Sequence, residues 1–266
     1  MIGVVAGNGD MPRLVAESVR ESGKSPVCIA LSSSIAESLA GCCDDVTEIP
    51  PVQVGKIIKT LVGKGVRDVV FAGKVEKSIL FEKIRFDSTA IKMLLTLPDR
   101  RDDTIMNGIR REFEKKGLRI LKQTEVLKNY LVPEGTLTKR QPTKDEMKDI
   151  AFGFTMAKKI GELDIGQTIV VRNRAVVAVE AIEGTDRAVQ RGCSLAGEGG
   201  VVVKVKRPGQ DERFDIPTVG VDTLRHIADN NGAVLAIEAE KTFVVNLEEC
   251  IRFADGAGIA FVSYRD

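Results

Sequence analysis

The sequence predicts an α/β protein of two domains, an N-terminal domain with a Rossmann-like parallel sheet and a C-terminal domain of mixed α/β structure. The chain has 266 residues, which exceeds the usual size of one domain, so two domains of roughly 130 residues are expected. Short apolar strands alternate with helical patterns in the first half. Proline and glycine cluster near the middle of the chain, and the order of elements changes beyond them.

The first half begins with three apolar strands and two helices. The strands are predicted at residues 2–6, 26–31 and 68–72, and the helices at residues 11–22 and 53–64. Strands of this kind, separated by helices, are typical of a parallel sheet covered on both faces.

The rest of the first domain is predicted to be mostly helical. Between Leu80 and Lys116, Ile105, Ile109 and Phe113 recur at helical spacing. A last short strand is predicted at residues 119–122. The first domain therefore spans residues 1–131.

The second domain is predicted at residues 143–266, after a linker at 132–142. The linker contains Val132-Pro133-Glu134-Gly135 and Gln141-Pro142, which are typical of loops. A capping box at Thr143-Lys144-Asp145-Glu146 opens a helix that runs to about residue 160. The remaining predictions are strands at 168–172, 175–181, 201–206, 233–238, 242–246 and 259–262, and helices at 221–231 and 247–256.

Composition excludes several classes of function. The net charge is +1 with both signs interspersed, and no basic run or aromatic platform is present, which argues against a general nucleic-acid binder. The cysteines show no CxxC spacing and are five in number, which predicts free thiols in a reducing cytosol. We expect no signal peptide and no transmembrane helix, so that any membrane contact is peripheral or through a lipid substrate.

A glycine-rich loop follows the first strand. Gly7-Asn8-Gly9-Asp10-Met11-Pro12 connects a strand to a helix, which is where a phosphate-binding turn occurs. Pro12 stands where the dinucleotide fingerprint has its third glycine, and the second strand ends without an acidic residue. The loop therefore predicts either a phosphate contact or a tight turn without a ligand. Lys74, after the third strand, is either a phosphate partner at the same sheet edge or a solvated lysine.

Histidine chemistry is excluded by counting. His226 is the only histidine and lies in a predicted helix with no motif around it, so we interpret it as a surface or packed residue. A multi-histidine metal site is therefore excluded. A metal would have to be held by oxygen atoms, which indicates Mg²⁺ or Mn²⁺.

Two acidic loops carry the strongest chemical pattern. Residues 210–220 place three carboxylates, an arginine and a glutamine in six residues after a valine-rich strand, and residues 179–187 form a second acidic strand-end loop. Asp186, Asp211 and Asp215 carry carboxylates, which could position a hard cation. Basic residues near these loops would neutralise phosphate charge, and the acidic and basic residues together indicate phosphoryl transfer. A solvated hairpin loop is the alternative. The basic residues are Arg187, Arg191, Lys204, Lys206 and Arg213.

The chain resembles the LpxI family of UDP-2,3-diacylglucosamine pyrophosphatases along nearly its full length. The most specific stretches are residues 178–186, which contain Glu-Ala-Ile-Glu-Gly-Thr-Asp, and residues 204–220, which contain Arg-Phe-Asp-Ile-Pro-Thr-Val-Gly. Arg101 departs from the pattern, because the family usually has glycine before the pair Asp102-Asp103. That pair could alternatively cap a helix. Further matches are Ala6–Pro12, Ala72–Val75 and Leu163–Gln167.

The resemblance implies an enzyme of lipid A biosynthesis. It implies hydrolysis of UDP-2,3-diacylglucosamine to UMP and 2,3-diacylglucosamine 1-phosphate (lipid X), with Mg²⁺ or Mn²⁺ as cofactor. It also implies an essential aspartate, which maps onto Asp215, and two domains that enclose the acylated UDP-sugar. The expected location is the cytoplasm, with peripheral contact at the inner membrane, and a homodimer is left open. We expect the acyl chains to meet apolar side chains such as Ile79, Leu80, Phe81, Met93 and Leu94.

These observations define the predicted site. The candidate catalytic residues are Asp215, Asp186, Glu183, Lys204 and Arg213. The candidate substrate-binding residues are Gly7, Asn8, Gly9, Lys74, Thr185 and Gln210. The candidate metal ligands are Asp215, Asp211 and Asp186.

Two other classes of protein share some of these features. A nucleotide-sugar or lipid binding protein without hydrolytic activity remains the alternative. A Rossmann-type oxidoreductase would need the complete glycine fingerprint and a ribose-binding acid, and both are missing.

Overall fold

The computed structural model describes residues 1–75, 86–99 and 101–266, which divide into two compact units. The first unit comprises Met1–Leu127 together with Glu212–Phe214. The second comprises Lys128–Asp211 and Asp215–Asp266. The predicted acyl-contact residues Ile79, Leu80 and Phe81 lie outside the described residues.

The first unit is built on a five-stranded parallel sheet with strand order β3-β2-β1-β4-β5. All residues of β1 and β2 are buried, as expected for central strands covered on both faces. Its elements are β1 (Ile2–Ala6), α1 (Met11–Glu21), β2 (Pro26–Ala30), α2 (Ser33–Leu39), β3 (Asp45–Glu48), α3 (Val54–Gly63), β4 (Asp68–Ala72), α4 (Ser88–Thr96), α5 (Asp102–Glu114), β5 (Arg119–Ile120) and α6 (Gln123–Val126).

The strand order reverses at β1, because β2 and β3 extend the sheet to one side and β4 and β5 to the other. Ligands of open α/β sheets bind outside the carboxyl ends of the strands at such a switch point. The loops that follow β1 and β4 lie there.

The second unit contains a six-stranded mixed sheet, with order β6-β13-β11-β9-β7-β8, and a two-stranded sheet of β10 and β12. A short 3₁₀ helix, Lys128–Tyr130, precedes it. Its elements are β6 (Gly135–Thr136), α7 (Lys144–Glu162), β7 (Thr168–Arg172), β8 (Ala175–Val179), α8 (Thr185–Ala196), β9 (Gly200–Lys204), β10 (Thr218–Val219), α9 (Val221–Asp229), β11 (Gly232–Glu238), β12 (Phe243–Val244), α10 (Leu247–Ala257) and β13 (Ala260–Tyr264).

Helices cover both faces of the six-stranded sheet. Val202 on β9 faces the core formed with α8, α9 and α10, whereas its neighbours Val201 and Val203 face the core formed with α7. This alternation follows from the two-residue period of a strand. The helices pack closely, since a Cβ at Gly153 of α7 would lie 2.6 Å from Val203 Cγ2.

The predicted fold class is confirmed: a parallel sheet in the first unit and a mixed α/β second unit. The sequence did not predict α2, β3 or α8. The first three residues of α8 belong to the acidic segment 179–187, and the small residues on its buried face give a weak apolar pattern for the rest. Those small residues are Ala188, Val189, Gly192 and Cys193.

The cysteines and the helices bear on two expectations from composition. The five cysteines are free and buried, which confirms the predicted thiols. Within the described ranges, no helix combines the length and the apolar character needed to cross a membrane.

Candidate active site

Both acidic loops lie at one edge of the six-stranded sheet. Strand β7 lies between β8 and β9 and is antiparallel to both, so the carboxyl ends of β8 and β9 meet at the same edge. Thr168, at the start of β7, is the register partner of Lys204, and its carbonyl accepts the Glu180 N–H at 2.8 Å. The two loops therefore converge, although their strands are not adjacent.

Lys204 lies beneath this edge and is only 6% exposed. Its ammonium donates to the Thr218 carbonyl at 2.9 Å and to Thr185 Oγ1 at 3.3 Å. Thr185 in turn donates to Glu180 Oε1 at 2.8 Å. A buried charge needs such partners, so Lys204 and Thr185 organise the start of α8 and the strand β10.

Asp215 is an exposed carboxylate at this edge, with 55% of its side chain accessible. Gln210 Nε2 donates to Asp215 Oδ2 at 2.6 Å, and Arg207 Nη2 lies 3.4 Å from the same oxygen. The Asp215 N–H donates to the Asp211 carbonyl at 3.1 Å. The carboxylate is thus accessible to a ligand while one of its oxygens is held.

Gln210, a predicted substrate contact, has its side-chain amide engaged within the protein. It is 9% exposed, and its Oε1 accepts the Arg207 N–H at 2.9 Å while its Nε2 contacts Asp215.

Arg207 was missed by the sequence analysis. Its guanidinium bridges Asp164 and Asp215, which joins the loop before β7 to the predicted catalytic loop. Its position directly before Pro208-Gly209, just beyond the end of β9, is the only pattern that would have indicated it.

A second missed residue is Glu238 at the end of β11. Its Oε2 accepts from the Lys206 backbone N–H at 2.8 Å and from Lys158 Nζ at 2.6 Å. This contact fixes the chain as it leaves β9, immediately before Arg207.

Asp186 and Glu183 make other contacts. Asp186 Oδ2 lies 4.0 Å from His226 Nε2, and His226 Nδ1 lies 2.9 Å from Gln190 Nε2. Glu183 accepts from Arg191 at 2.7 Å, and this hydrogen bond lowers the pKa of the Glu183 carboxyl. The Glu183–Arg191 ion pair links the loop before α8 to that helix, and the Asp186–His226 contact links α8 to α9.

The predicted metal ligands do not form a preformed cage. In the part of the chain that the structure describes, no three His, Cys, Asp or Glu side chains gather as a metal site. Asp186, Asp211 and Asp215 are therefore not grouped in the way that binding by three carboxylates would require.

The tip of the predicted catalytic loop belongs to the first unit. The Glu212 carbonyl accepts the Gln123 N–H at 2.8 Å, and the Phe214 ring packs edge-on against Phe71 with 5.5 Å between centroids. The Arg213 guanidinium lies 5.9 Å from the centre of the Phe214 ring. Aromatic packing and backbone hydrogen bonding thus fix this segment.

The predicted phosphate loop of the first unit contacts the loop after β4. Asn8 and Lys74 exchange both backbone hydrogen bonds, at 2.8 and 2.9 Å. A Cβ at Gly7 would lie 2.6 Å from the Lys74 carbonyl oxygen, and Gly73 has φ of +84°. The close approach of the two loops is therefore enough to explain glycine at positions 7 and 73, without a ligand. Asn8, Gly9 and the Lys74 side chain are exposed at the switch point.

The pair Asp102-Asp103 opens α5. Asp103 lies in its first turn, where a carboxylate stabilises the positive helix terminus. Arg101 has φ of −68°, so this position does not require glycine. The side chain of Asp102 lies outside the described residues.

A cavity of about 370 Å³ in the second unit lies elsewhere, and no predicted site residue lines it. It is lined by Phe154, Glu238, Ala239, Glu240, Lys241, Arg265 and Asp266.

The fold and the charged sheet edge are typical of an α/β enzyme that acts on an anionic ligand. Residues 1–130 match the LpxI N-terminal domain and residues 133–262 match the LpxI C-terminal domain. The chain therefore belongs to the LpxI family, and the predicted family is confirmed. It is 34% identical over 269 residues to "UDP-2,3-diacylglucosamine pyrophosphatase LpxI" of Caulobacter vibrioides, with 97% of this chain and 95% of that protein covered.

Proposed function

We propose that this chain hydrolyses the pyrophosphate bond of UDP-2,3-diacylglucosamine to UMP and lipid X in lipid A biosynthesis. The full-length similarity to the Caulobacter protein supports the substrate. The observation that carries the chemistry is Asp215, an exposed carboxylate in the specific family segment, held by Gln210 and Arg207.

The reaction needs a water molecule placed in line with the bond that breaks. The water oxygen bonds to one phosphorus as the bond from that phosphorus to the bridging oxygen breaks, and the bridging oxygen leaves on the other phosphate. Asp215 would accept a hydrogen bond from this water, orient it and take up the proton that it loses as the new bond to phosphorus forms. Arg207 and Lys206, at the same edge, would stabilise the negative charge that develops on the phosphate oxygens.

The divalent cation stays a prediction. No three-carboxylate group is present among the described residues, so we expect the ion to be shared between one or two carboxylates and the substrate phosphates. We also propose that the protein acts in the cytoplasm and contacts the inner membrane peripherally. Its substrate and its product both carry acyl chains, and such a substrate would be taken up there.

The test compares UDP-2,3-diacylglucosamine with UDP-N-acetylglucosamine, with UMP and lipid X measured by mass spectrometry. We expect a far higher kcat/KM for the acylated substrate. Each buried CH₂ group contributes about 0.8 kcal/mol, which can be used to place the pyrophosphate. Comparable kcat/KM values would contradict the lipid substrate. Tight binding of the acylated compound without UMP release would instead support the binding-protein alternative.

A further inference from the structure

The side-chain amide of Gln210 has both of its polar atoms committed to the loop that carries Asp215. Oε1 accepts from the Arg207 backbone N–H and Nε2 donates to Asp215 Oδ2. The reverse amide orientation would place the oxygen against a carboxylate and the NH₂ group against a backbone N–H. Only one orientation of the amide is therefore consistent with both contacts.

The position of Gln210 is itself fixed. Its backbone N–H donates to the Arg207 carbonyl at 3.1 Å, which closes a turn over Pro208 and Gly209, and Gly209 has φ of +79°. Its side chain is 9% exposed. A buried side chain on a closed turn has little freedom to reach outward to a ligand.

The hydrogen bond to Asp215 is the stronger of the two contacts at Oδ2. At 2.6 Å it is a short bond to an ionised acceptor, whereas Arg207 is 3.4 Å away and also contacts Asp164. Gln210 and Asp215 stand at the two ends of the loop whose backbone is closed by the Asp215 N–H to Asp211 contact. Gln210 is thus the main side chain that sets the plane of this exposed carboxylate.

We infer that Gln210 is a positioning residue for Asp215. It anchors Oδ2, so that the other carboxylate oxygen, Oδ1, is presented to the attacking water. Its role as a substrate contact, expected from the sequence, is replaced by an action through Asp215. This inference rests on the proposed function, because it assigns a reason for holding Asp215.

The decisive variant is Gln210→Glu. It retains an acceptor for the Arg207 N–H but places a second carboxylate against Oδ2. The donor to Oδ2 is lost, the two carboxylates repel one another, and Asp215 turns away.

We expect Gln210→Glu to lower kcat about tenfold or more relative to wild type, because the carboxylate loses its orientation. KM should stay within about twofold. Gln210→Met, of similar volume, should lower kcat about tenfold, because small displacements of a catalytic group are costly. The matched control is Gln141→Glu, at an exposed glutamine whose amide donates to the Thr138 carbonyl, and it should keep the wild-type kcat and KM.

A second measurement does not depend on turnover. In crystal structures, the Asp215 carboxylate should leave its wild-type orientation in Gln210→Met and keep it in Gln141→Glu. An unchanged Asp215 orientation in Gln210→Met, or a raised KM with unchanged kcat, would overturn the inference. If the wild type fails to cleave the lipid substrate, the proposed function fails, and the carboxylate orientation still decides the contact.

Discussion

Asp215 combines exposure with restraint, and a catalytic carboxylate needs both. Exposure lets it meet water and phosphate, while the Gln210 and Arg207 donors limit the orientations that it adopts. Lys204 is the opposite case: it is buried, and its charge is balanced by protein oxygens that it holds in place. Unlike Lys204, Asp215 is therefore accessible to a substrate.

We expect Asp215→Ala to lower kcat by roughly 10² or more, the range seen when a catalytic base or an oriented charge is lost. Folding should be retained because the side chain is more than half exposed. The assay is release of UMP from UDP-2,3-diacylglucosamine, with circular dichroism as the check on folding. Asp229→Ala, at an exposed carboxylate near the end of α9, should keep wild-type turnover. Turnover of Asp215→Ala close to wild type would remove this residue from the mechanism.

The chemical types of the site residues were predictable, whereas their partners were not. Dense charge after a valine-rich strand indicated residues 210–220. Which charge meets which depends on strand direction, since β7 brings Glu180 and Thr185 to Lys204 across the sheet. Local turns of the backbone, which residue spacing alone does not specify, pair Glu183 with Arg191 and Gln210 with Asp215.

At the scale of elements, long apolar patterns were predicted well and weak ones were missed. The strands at residues 2–6 and 168–172 match β1 and β7, because each is a run of β-branched and small apolar residues. Helix α8 was missed because small residues form its buried face. Strand β3 was missed because its sequence, Asp45–Glu48, is polar and only partly buried.

The contact between the loops after β1 and β4 predicts a specific sensitivity to a methyl group. Gly73→Ala would place a Cβ 2.7 Å from the Asn8 carbonyl oxygen, at a φ of +84°. Gly117→Ala is the matched control, since Gly117 has φ of +77° and no atom within 4 Å of a Cβ. The backbone conformation should cost each variant about 1 kcal/mol of unfolding free energy. Gly73→Ala should lose about 1–3 kcal/mol more, because backbone atoms must move.

The measurement must report on the first unit. The chain has no tryptophan, and both tyrosines, Tyr130 and Tyr264, lie in the second unit. Urea unfolding is therefore followed by far-ultraviolet circular dichroism, with hydrogen exchange of β1 and β4 peptides as the local probe. Equal losses in the two variants would show that the loops do not approach as closely as described.

At the scale of the whole molecule, the chain passes between the two units after Leu127, after Asp211 and after Phe214. The sequence predicted two domains from length and from the proline and glycine cluster. It did not predict that Glu212–Phe214 would belong to the first unit, because the Phe214 contact with Phe71 joins residues far apart in the chain. Neither local composition nor periodicity carries that information.

The predicted requirement for a cation also belongs to the scale of the whole molecule, because both the protein and its substrate supply ligands to the ion. With one histidine and no group of three acidic side chains among the described residues, the free protein offers few ligands. Mg²⁺ is commonly bound by one or two carboxylates together with substrate phosphates. We therefore expect excess EDTA to abolish UMP release and Mg²⁺ or Mn²⁺ to restore it, without dependence on zinc.

Calorimetry separates a resident ion from one that arrives with the substrate. Mg²⁺ added to the protein alone should bind weakly, with a dissociation constant of about 1 mM or above. Ca²⁺ sites of low charge and rigidity fall in about that range, and Mg²⁺ gives up its water more reluctantly. Asp215→Ala, titrated in parallel, controls for the contribution of that carboxylate. Tight binding to the free protein would require a site that the described residues do not form, and full activity in excess EDTA would contradict the cation requirement.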